Sequence, residues 1–504
     1  MGVWGVLEKS SRLGLRHLNQ RRNRVAAVVF FVILFSLFQS TTLIDRRKVE
    51  LPQIPYAEAK PEDFTPATQT SKFNPVVLNG GQKTTKELCD TFPRHIARRI
   101  QPVLRIGHAD VGGATLKGQF ESSSACFTSS ELLVFSDWED EVYGHKSIDV
   151  LARVSSWYYN SKRFRHWKIY DAMKAADAKG QLAKAMKEKR FDGWKIDKFK
   201  FLPSIEQAWK LKPNKDFYVF YETDTYVFWD NMYRYLETLD PDSKIYMGSP
   251  SPGRRDPHRK GQKIWFANGG PGYILSRGAM KALLGGRTSM VRNPISSKYS
   301  QLLNDDECCG DSVLGWVLWE AGVQLQGIWP MFTPYSANEI PYIEKVWCYP
   351  ILTLHKTIPE DMGDLFNWEF ANRNESRPLL YSDTWDFYKP GSVARKPNWF
   401  GGHRGHFDPK KGVKVKSADE CQAACISEER CLQWTWQDLG FQRCILMDII
   451  VYGNDAPEAV EKHGFFKKRV NYTTGWIQDR NKRVRDGLTC GPAKWTGPSM
   501  TRIY

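Results

Sequence analysis

The ten cysteines of this 504-residue chain include no Cys-x-x-Cys pair. That excludes the common zinc ribbons and knuckles, which need closely spaced thiolates. An even cysteine count on a chain with a membrane-type segment points instead to disulfides. Acidic residues are in short supply, 56 Asp and Glu against 72 Lys and Arg, giving a formal charge of +16. The Lys and Arg are scattered and no nucleic-acid-binding motif is visible, so the surplus argues for anionic ligands or surfaces and against nucleic acid. No Ala-x-Ala cleavage site follows the N-terminal apolar run, which favours a retained anchor over its rival, a cleaved signal peptide. Otherwise the chain is ordinary: 41% hydrophobic and 25% charged residues suffice for a sizeable core. The length suggests about two to four domains.

Residues 1–24 are basic and form a cytoplasmic tail. The apolar run Val25–Phe38 spans roughly 21 Å as a helix, and extension to Ile44 reaches about 30 Å, enough to cross a bilayer. Residues 25–44 are therefore expected to be a transmembrane signal anchor with everything beyond on the lumenal side. Residues 45–85 are Pro-rich and polar, a stem. An α/β body is expected over 86–365, where strand patterns (102–106, 132–137, 217–221, 245–250) alternate with helical ones (171–189, and 199–211 with Ser204 as a candidate N-cap). A linker follows at 366–400. Four cysteines within 24 residues, Cys421, Cys425, Cys431 and Cys444, then mark a small disulfide-stapled module at 401–475. Residues 476–504 read as a basic, aperiodic tail in which Cys490 needs a distant partner. Asn374-Glu-Ser and Asn471-Tyr-Thr are glycosylation sequons.

The central stretch is Phe217–Asp230, FYVFYETDTYVFWD. Its aromatic, β-branched start is the pattern of a strand buried on both faces. The run ends in Glu222-Thr223-Asp224, where an α/β sheet places its ligands. Carboxylates beside so much apolar surface need compensation, which a hard divalent cation carrying a diphosphate would supply; a solvated strand end is the plainer reading. Gly269, Gly270 and Gly272 let the backbone approach a ligand, or simply make a turn; their spacing is neither a Rossmann nor a P-loop fingerprint. Asp311 heads a helical pattern closed by Gly322, either as its N-cap or as a general base. His355 ends the strand pattern Ile351–Leu354, a structural histidine or a third ligand for a transition metal.

Taken in order, Glu222-Thr-Asp-Thr-Tyr-Val, Phe266-Ala-Asn-Gly-Gly-Pro-Gly-Tyr-Ile-Leu-Ser, Gly310-Asp-Ser-Val-Leu-Gly and Leu354-His resemble glycosyltransferase family 31, the Fringe-like and core-1-galactosyltransferase-like enzymes, over roughly 95–360. The resemblance implies a type II Golgi membrane protein with a GT-A nucleotide-sugar-binding fold. It implies Mn²⁺ or Mg²⁺ as cofactor, a UDP-sugar donor, and inverting transfer of a hexose or N-acetylhexosamine to a glycan or glycoprotein hydroxyl, with a β-1,3 linkage. Asp224 and His355 would hold the cation. Glu222 would contact the ribose or a metal-bound water, and Asp311 would be the base. Thr223, Asn268, Gly269, Gly270 and Asp137 would line the donor and acceptor sites. Two positions depart from the family pattern: Glu222 leads where Asp is usual, with Thr223 in the middle, and Gly310 stands where an acid precedes the base, leaving Asp311 alone or helped by Asp305 or Asp306. The C-terminal module is similar to a PAN/Apple domain, which implies the pairs Cys421–Cys444 and Cys425–Cys431. The substituted triplet keeps a second reading open, an inactive GT-A protein that binds carbohydrate or protein or acts as a chaperone. A glycosidase would use two carboxylates but explains neither the triplet nor the histidine.

Overall fold

The structure, a computed structural model, describes residues 70–73, 83–285, 294–402, 405–410, 414–438, 442–463 and 466–501. The expected anchor at 25–44 and most of the stem lie outside the described residues. Among the described residues no helix is long and apolar enough to cross a membrane.

Thirteen strands of the body, in chain order, position the site: β1 (Ile100–Arg105), β2 (Leu133–Ser136), β3 (Glu141–Val142), β4 (His145–Asp149), β5 (Phe217–Glu222), β6 (Tyr226–Val227), β7 (Tyr246–Gly248), β8 (Pro250–Arg255), β9 (Lys263–Ala267), β10 (Tyr273–Ser276), β11 (Leu325–Gly327), β12 (Phe332–Thr333) and β13 (Thr353–Leu354). Eight form one sheet in the order β11-β7-β10-β5-β1-β2-β4-β3. The pairs β5–β1, β1–β2, β2–β4 and β7–β11 are parallel, while β10 and β3 run antiparallel to their neighbours. This is a mixed α/β fold with a mostly parallel sheet. The run expected as one strand at 245–250 divides into β7 and β8, and β8 leaves the sheet to pair with β9.

β5 sits inside the sheet, and its apolar run follows from burial on both faces. Phe217, Val219 and Tyr221 enter one core cluster, Tyr218 and Phe220 the other. All five are at most 2% exposed. Each such side chain contributes roughly 1.5–3 kcal/mol through burial.

Three helices matter for the site: α1 (Phe201–Leu211), α2 (Trp229–Leu236) and α3 (Gly310–Glu320). Ser204 is not the cap of α1. It lies in the first turn, where its hydroxyl donates to the Lys200 carbonyl at 2.6 Å. Pro203 is tolerated beside it because the first N–H groups of a helix have no partner to lose. The helical pattern at 171–189 divides into Trp167–Asp177 and Leu182–Lys187 around Gly180, whose φ is +66°.

The body's expected limit at residue 365 falls inside the helix Pro359–Asn372, whose Leu365, Phe366 and Phe370 belong to the core. The C-terminal module packs helix Ala418–Ser427 on a sheet that includes Gln433–Asp438, Gln442–Met447 and Phe466–Trp476. Cys421–Cys444 ties that helix to the sheet and Cys425–Cys431 closes the loop after it. Asn374 is exposed, with Oδ1 accepting from Ser376 N–H at 2.8 Å, whereas Asn471 is half-buried in a strand opposite Asp438.

The stretch expected as an aperiodic tail is folded. Gln478–Gly487 is helical, Cys490 pairs with Cys348, Trp495 stacks on Tyr235 at 5.4 Å, and Ser499 N–H donates to Gly327 O on edge strand β11 at 2.7 Å. The remaining pairs are Cys89–Cys126 and Cys308–Cys309, so all ten cysteines are bonded.

Burial outweighs every opposing pull on two carboxyls of the body, including that of Arg373 on Glu369. Glu369 is 3% exposed and accepts from the Tyr226 hydroxyl at 2.6 Å. Burial pushes its carboxyl up to about 8 and that of Glu206 up to about 7. An unfolded glutamate titrates near 4.3, so between these values the folded chain holds protons that the unfolded chain has released. The resulting stabilisation is complete below about pH 4 and is lost as the pH rises through about 8. The melting temperature is therefore expected to fall by several degrees between pH 6 and 8.5, and Glu369→Gln to flatten that slope. Calorimetry showing the same slope in both proteins would refute the account.

Candidate functional site

A cavity of about 510 Å³ opens at the carboxyl ends of β1 and β5. Antiparallel β10 begins at that edge, so the loop before it, 268–272, arrives there too. Glu222 ends β5, and Asp224 lies in the turn to β6. His355 follows β13, which pairs with β6 through Leu354 and Tyr226. That pairing brings His355 Nε2 to 3.4 Å from Asp224 Oδ1. One ligand atom each from Glu222, Asp224 and His355 lie within 4.8 Å of one another. The other ring nitrogen of His355, Nδ1, lies 3.3 Å from the Pro334 carbonyl, which leaves Nε2 facing the carboxylates. Two oxygen donors and an imidazole suit Mn²⁺. Gly270 makes the room, since a Cβ there would collide with the imidazole ring. Thr225 Oγ1 fixes this glycine by donating to its carbonyl at 2.5 Å. A second cluster, Glu307-Cys308-Cys309, has metal-like spacing, but its sulfurs are spent on each other.

The electrostatics reflect crowding. Burial opposes the charged imidazole of His355, but the hydrogen bond and charge of Asp224 outweigh it and hold its pKa above the usual value. Burial pushes the Glu222 carboxyl up. Arg105 pulls it back, while Asp197 and Asp224 add to the rise.

Arg105 was not anticipated. It ends β1, and the parallel register sets it beside Glu222. Its Nη2 donates to Glu222 Oε1 at 2.5 Å, and its guanidinium lies 3.6 Å from the centre of the Phe201 ring. Nε and Nη1 are buried without a partner, at the floor of the cavity. The sequence did carry a signal: a lone arginine inside the apolar strand Val103-Leu-Arg-Ile demands a partner. Lys200 was missed as well. Its Nζ donates to Ile106 O and pairs with Asp197, both at 2.9 Å.

Asp311 is not the N-cap of α3. It is the second residue of the helix and turns toward the glycine loop. Its Oδ2 accepts from Gly269 N–H and Oδ1 from Ser312 N–H, both at 2.8 Å. Burial pushes its carboxyl up to about 6, against the pull of those two N–H groups. Asp305 and Asp306 are exposed and off the cavity, so they do not assist it. Gly310 has a steric reason: a Cβ there would strike Phe201 and the backbone of Lys198.

Two residues expected to bind ligand lie off the cavity lining and brace loops. Asp137 is 1% exposed and lies off the cavity; its Oδ1 accepts from His108 N–H at 2.7 Å, holding the loop whose Gly107 and Asp110 do line it. Asn268 also lies off the lining, its Oδ1 accepting from Gly270 N–H at 3.2 Å. Thr223, Gly269 and Gly270 line the cavity as expected.

Gly270→Ala should displace His355 without unfolding the chain. Mn²⁺ affinity by titration calorimetry should fall at least tenfold with the melting temperature nearly unchanged. Unaltered affinity would show that the imidazole does not need this space.

No curated protein matches the chain. Residues 177–332, which hold the acidic triplet, the glycine loop and Asp311 but stop short of His355, match the family model described as Fringe-like.

Proposed function

We propose that the chain is an inverting, metal-dependent glycosyltransferase that moves a hexose or N-acetylhexosamine from a UDP-sugar to a glycan or glycoprotein hydroxyl, with a β-1,3 linkage. The observation that carries this is one cavity lined both by the Glu222, Asp224 and His355 set and by a raised carboxyl, Asp311.

Asp224 and His355 would hold the cation, with Glu222 toward the ribose or a metal-bound water. Mn²⁺ or Mg²⁺ held there would supply positive charge to the diphosphate of the leaving UDP. Arg105 fixes Glu222, so the acidic wall does not need to reorganise around the donor. The Gly269–Gly270 backbone lets the sugar lie close to the sheet edge. Asp311 takes the proton of the acceptor hydroxyl as its oxygen attacks the anomeric carbon from the face opposite UDP. Proton and charge then end on separate groups, one on Asp311 and the other on the departing diphosphate.

The same reading makes the body a GT-A domain, the 25–44 segment a type II anchor in the Golgi membrane, and the stapled C-terminal unit a PAN/Apple-like module. The Glu-led triplet favours a second reading, a GT-A protein that binds without catalysis.

The full chain in detergent, given a panel of UDP-hexoses and UDP-N-acetylhexosamines, should hydrolyse one of them slowly in a Mn²⁺-dependent way. Asp311→Asn should slow transfer by about 10²–10⁴-fold. The wild-type rate should fall on the acid side with a midpoint near about 6, because the base must be ionised. Transfer that survives Asp311→Asn removes that residue from its role, and absence of both turnover and nucleotide binding favours the non-catalytic reading.

A further inference from the structure

The positive charge of the chain is not evenly spread over its surface. Between residues 162 and 195 eleven exposed Lys and Arg side chains face four exposed acidic ones. This stretch makes three helices, Trp167–Asp177, Leu182–Lys187 and Gly193–Asp197, and the first packs on both of the others. The third lines the cavity through Gly193, Trp194 and Asp197. The stretch therefore reaches the mouth of the proposed active site through its third helix.

Two features mark the junction. Burial and then the charges of Lys198, Arg165 and Lys195 depress the pKa of His166, against the opposing pull of Asp305, and Lys195 also pairs with Asp192 at 3.1 Å. Lys198 itself lines the cavity. Beside them, Trp194 is 70% exposed at the cavity rim. An indole left in water at the edge of a binding cavity offers a flat apolar face, onto which the C–H face of a pyranose stacks. A surplus of exposed cations on the same stretch favours a ligand that repeats negative charge.

We propose that the acceptor is an anionic carbohydrate, a uronate-, phosphate- or sulfate-bearing glycan. Trp194 stacks on the sugar at the cavity mouth, and the 162–195 band holds the acidic residues beyond it. The inference rests on the transferase reading for the word acceptor, but the binding surface stands or falls by itself. It also accounts for the basic surplus that the sequence left as an anionic ligand or surface.

The test uses the full chain and fluorescent probes: an oligogalacturonide, a neutral maltooligosaccharide of equal length, and an oligoglutamate peptide. The oligogalacturonide should bind at least tenfold tighter than the neutral sugar at low salt, and lose that margin at high salt. Arg165→Glu with Lys195→Glu should abolish the margin. Trp194→Ala should weaken both sugars severalfold while leaving the salt slope intact, and Trp194→Phe should restore most of that loss. Equal binding of charged and neutral sugars overturns the proposal. So does oligoglutamate binding as tightly as oligogalacturonide and indifferent to Trp194→Ala, which would make the band a protein-docking surface. Wild-type hydrolysis of UDP-sugars, measured in parallel, separates the two levels: its absence removes the transferase reading, and the probe affinities still decide the surface.

Discussion

The ion pair between Arg105 and Glu222 is the constraint around which the body is arranged. Both side chains sit at the carboxyl ends of strands, side by side through the parallel register of β1 and β5. Stripping a carboxylate of water there costs several kcal/mol, which the permanently charged Arg105 offsets in part. Together they set an acidic wall whose remaining members, Asp224 and His355, are brought in by the short β6–β13 pairing. The sheet supplies position, and the turn after β5 supplies chemistry.

The strand itself could be read from the sequence because it is buried twice over. A run without polar interruption, bounded by Asn214-Lys215-Asp216 and Glu222-Thr223-Asp224, has few alternatives to an interior strand. The acids were harder. Asp224 and Asp137 give the same local signal, an acid at the end of an apolar strand, yet one lines the cavity and the other holds a loop by its His108 N–H contact. Only the neighbours in space separate these roles. For Asp224 the neighbour is a histidine 131 positions further along the chain, placed there by resemblance rather than by any local pattern.

The C-terminal stretch shows the opposite limit. Residues 476–504 lack periodicity because what orders them is distant: Cys348, Tyr235 and edge strand β11. A covalent bond across 142 positions leaves no trace in a local window beyond an unpaired cysteine. Covering the open edge of β11 with Ser499 also blunts the one side of the large sheet where a parallel strand would otherwise end unpaired. The tail is thus part of the body's boundary, though a whole module intervenes in sequence.

The two departures from the pattern that the sequence resembles, Glu222 and Gly310, meet at Arg105 and Phe201. Arg105 needs a carboxylate within reach, and the longer Glu222 provides it from a position where an aspartate is usual. Arg105 also needs a face to lie on, which is the ring of Phe201 at 3.6 Å. Phe201 then occupies the volume that a side chain at position 310 would require, and a Cβ at position 269 would come within 2.8 Å of the same ring. An acid before Asp311 is therefore sterically excluded once the arginine and its ring are in place. The charges acting on Asp311 are Arg105, which pulls its pKa down, and Asp197, which pushes it up. The glycine at 310 is thus accounted for by the packing of Phe201 and Arg105 beside it.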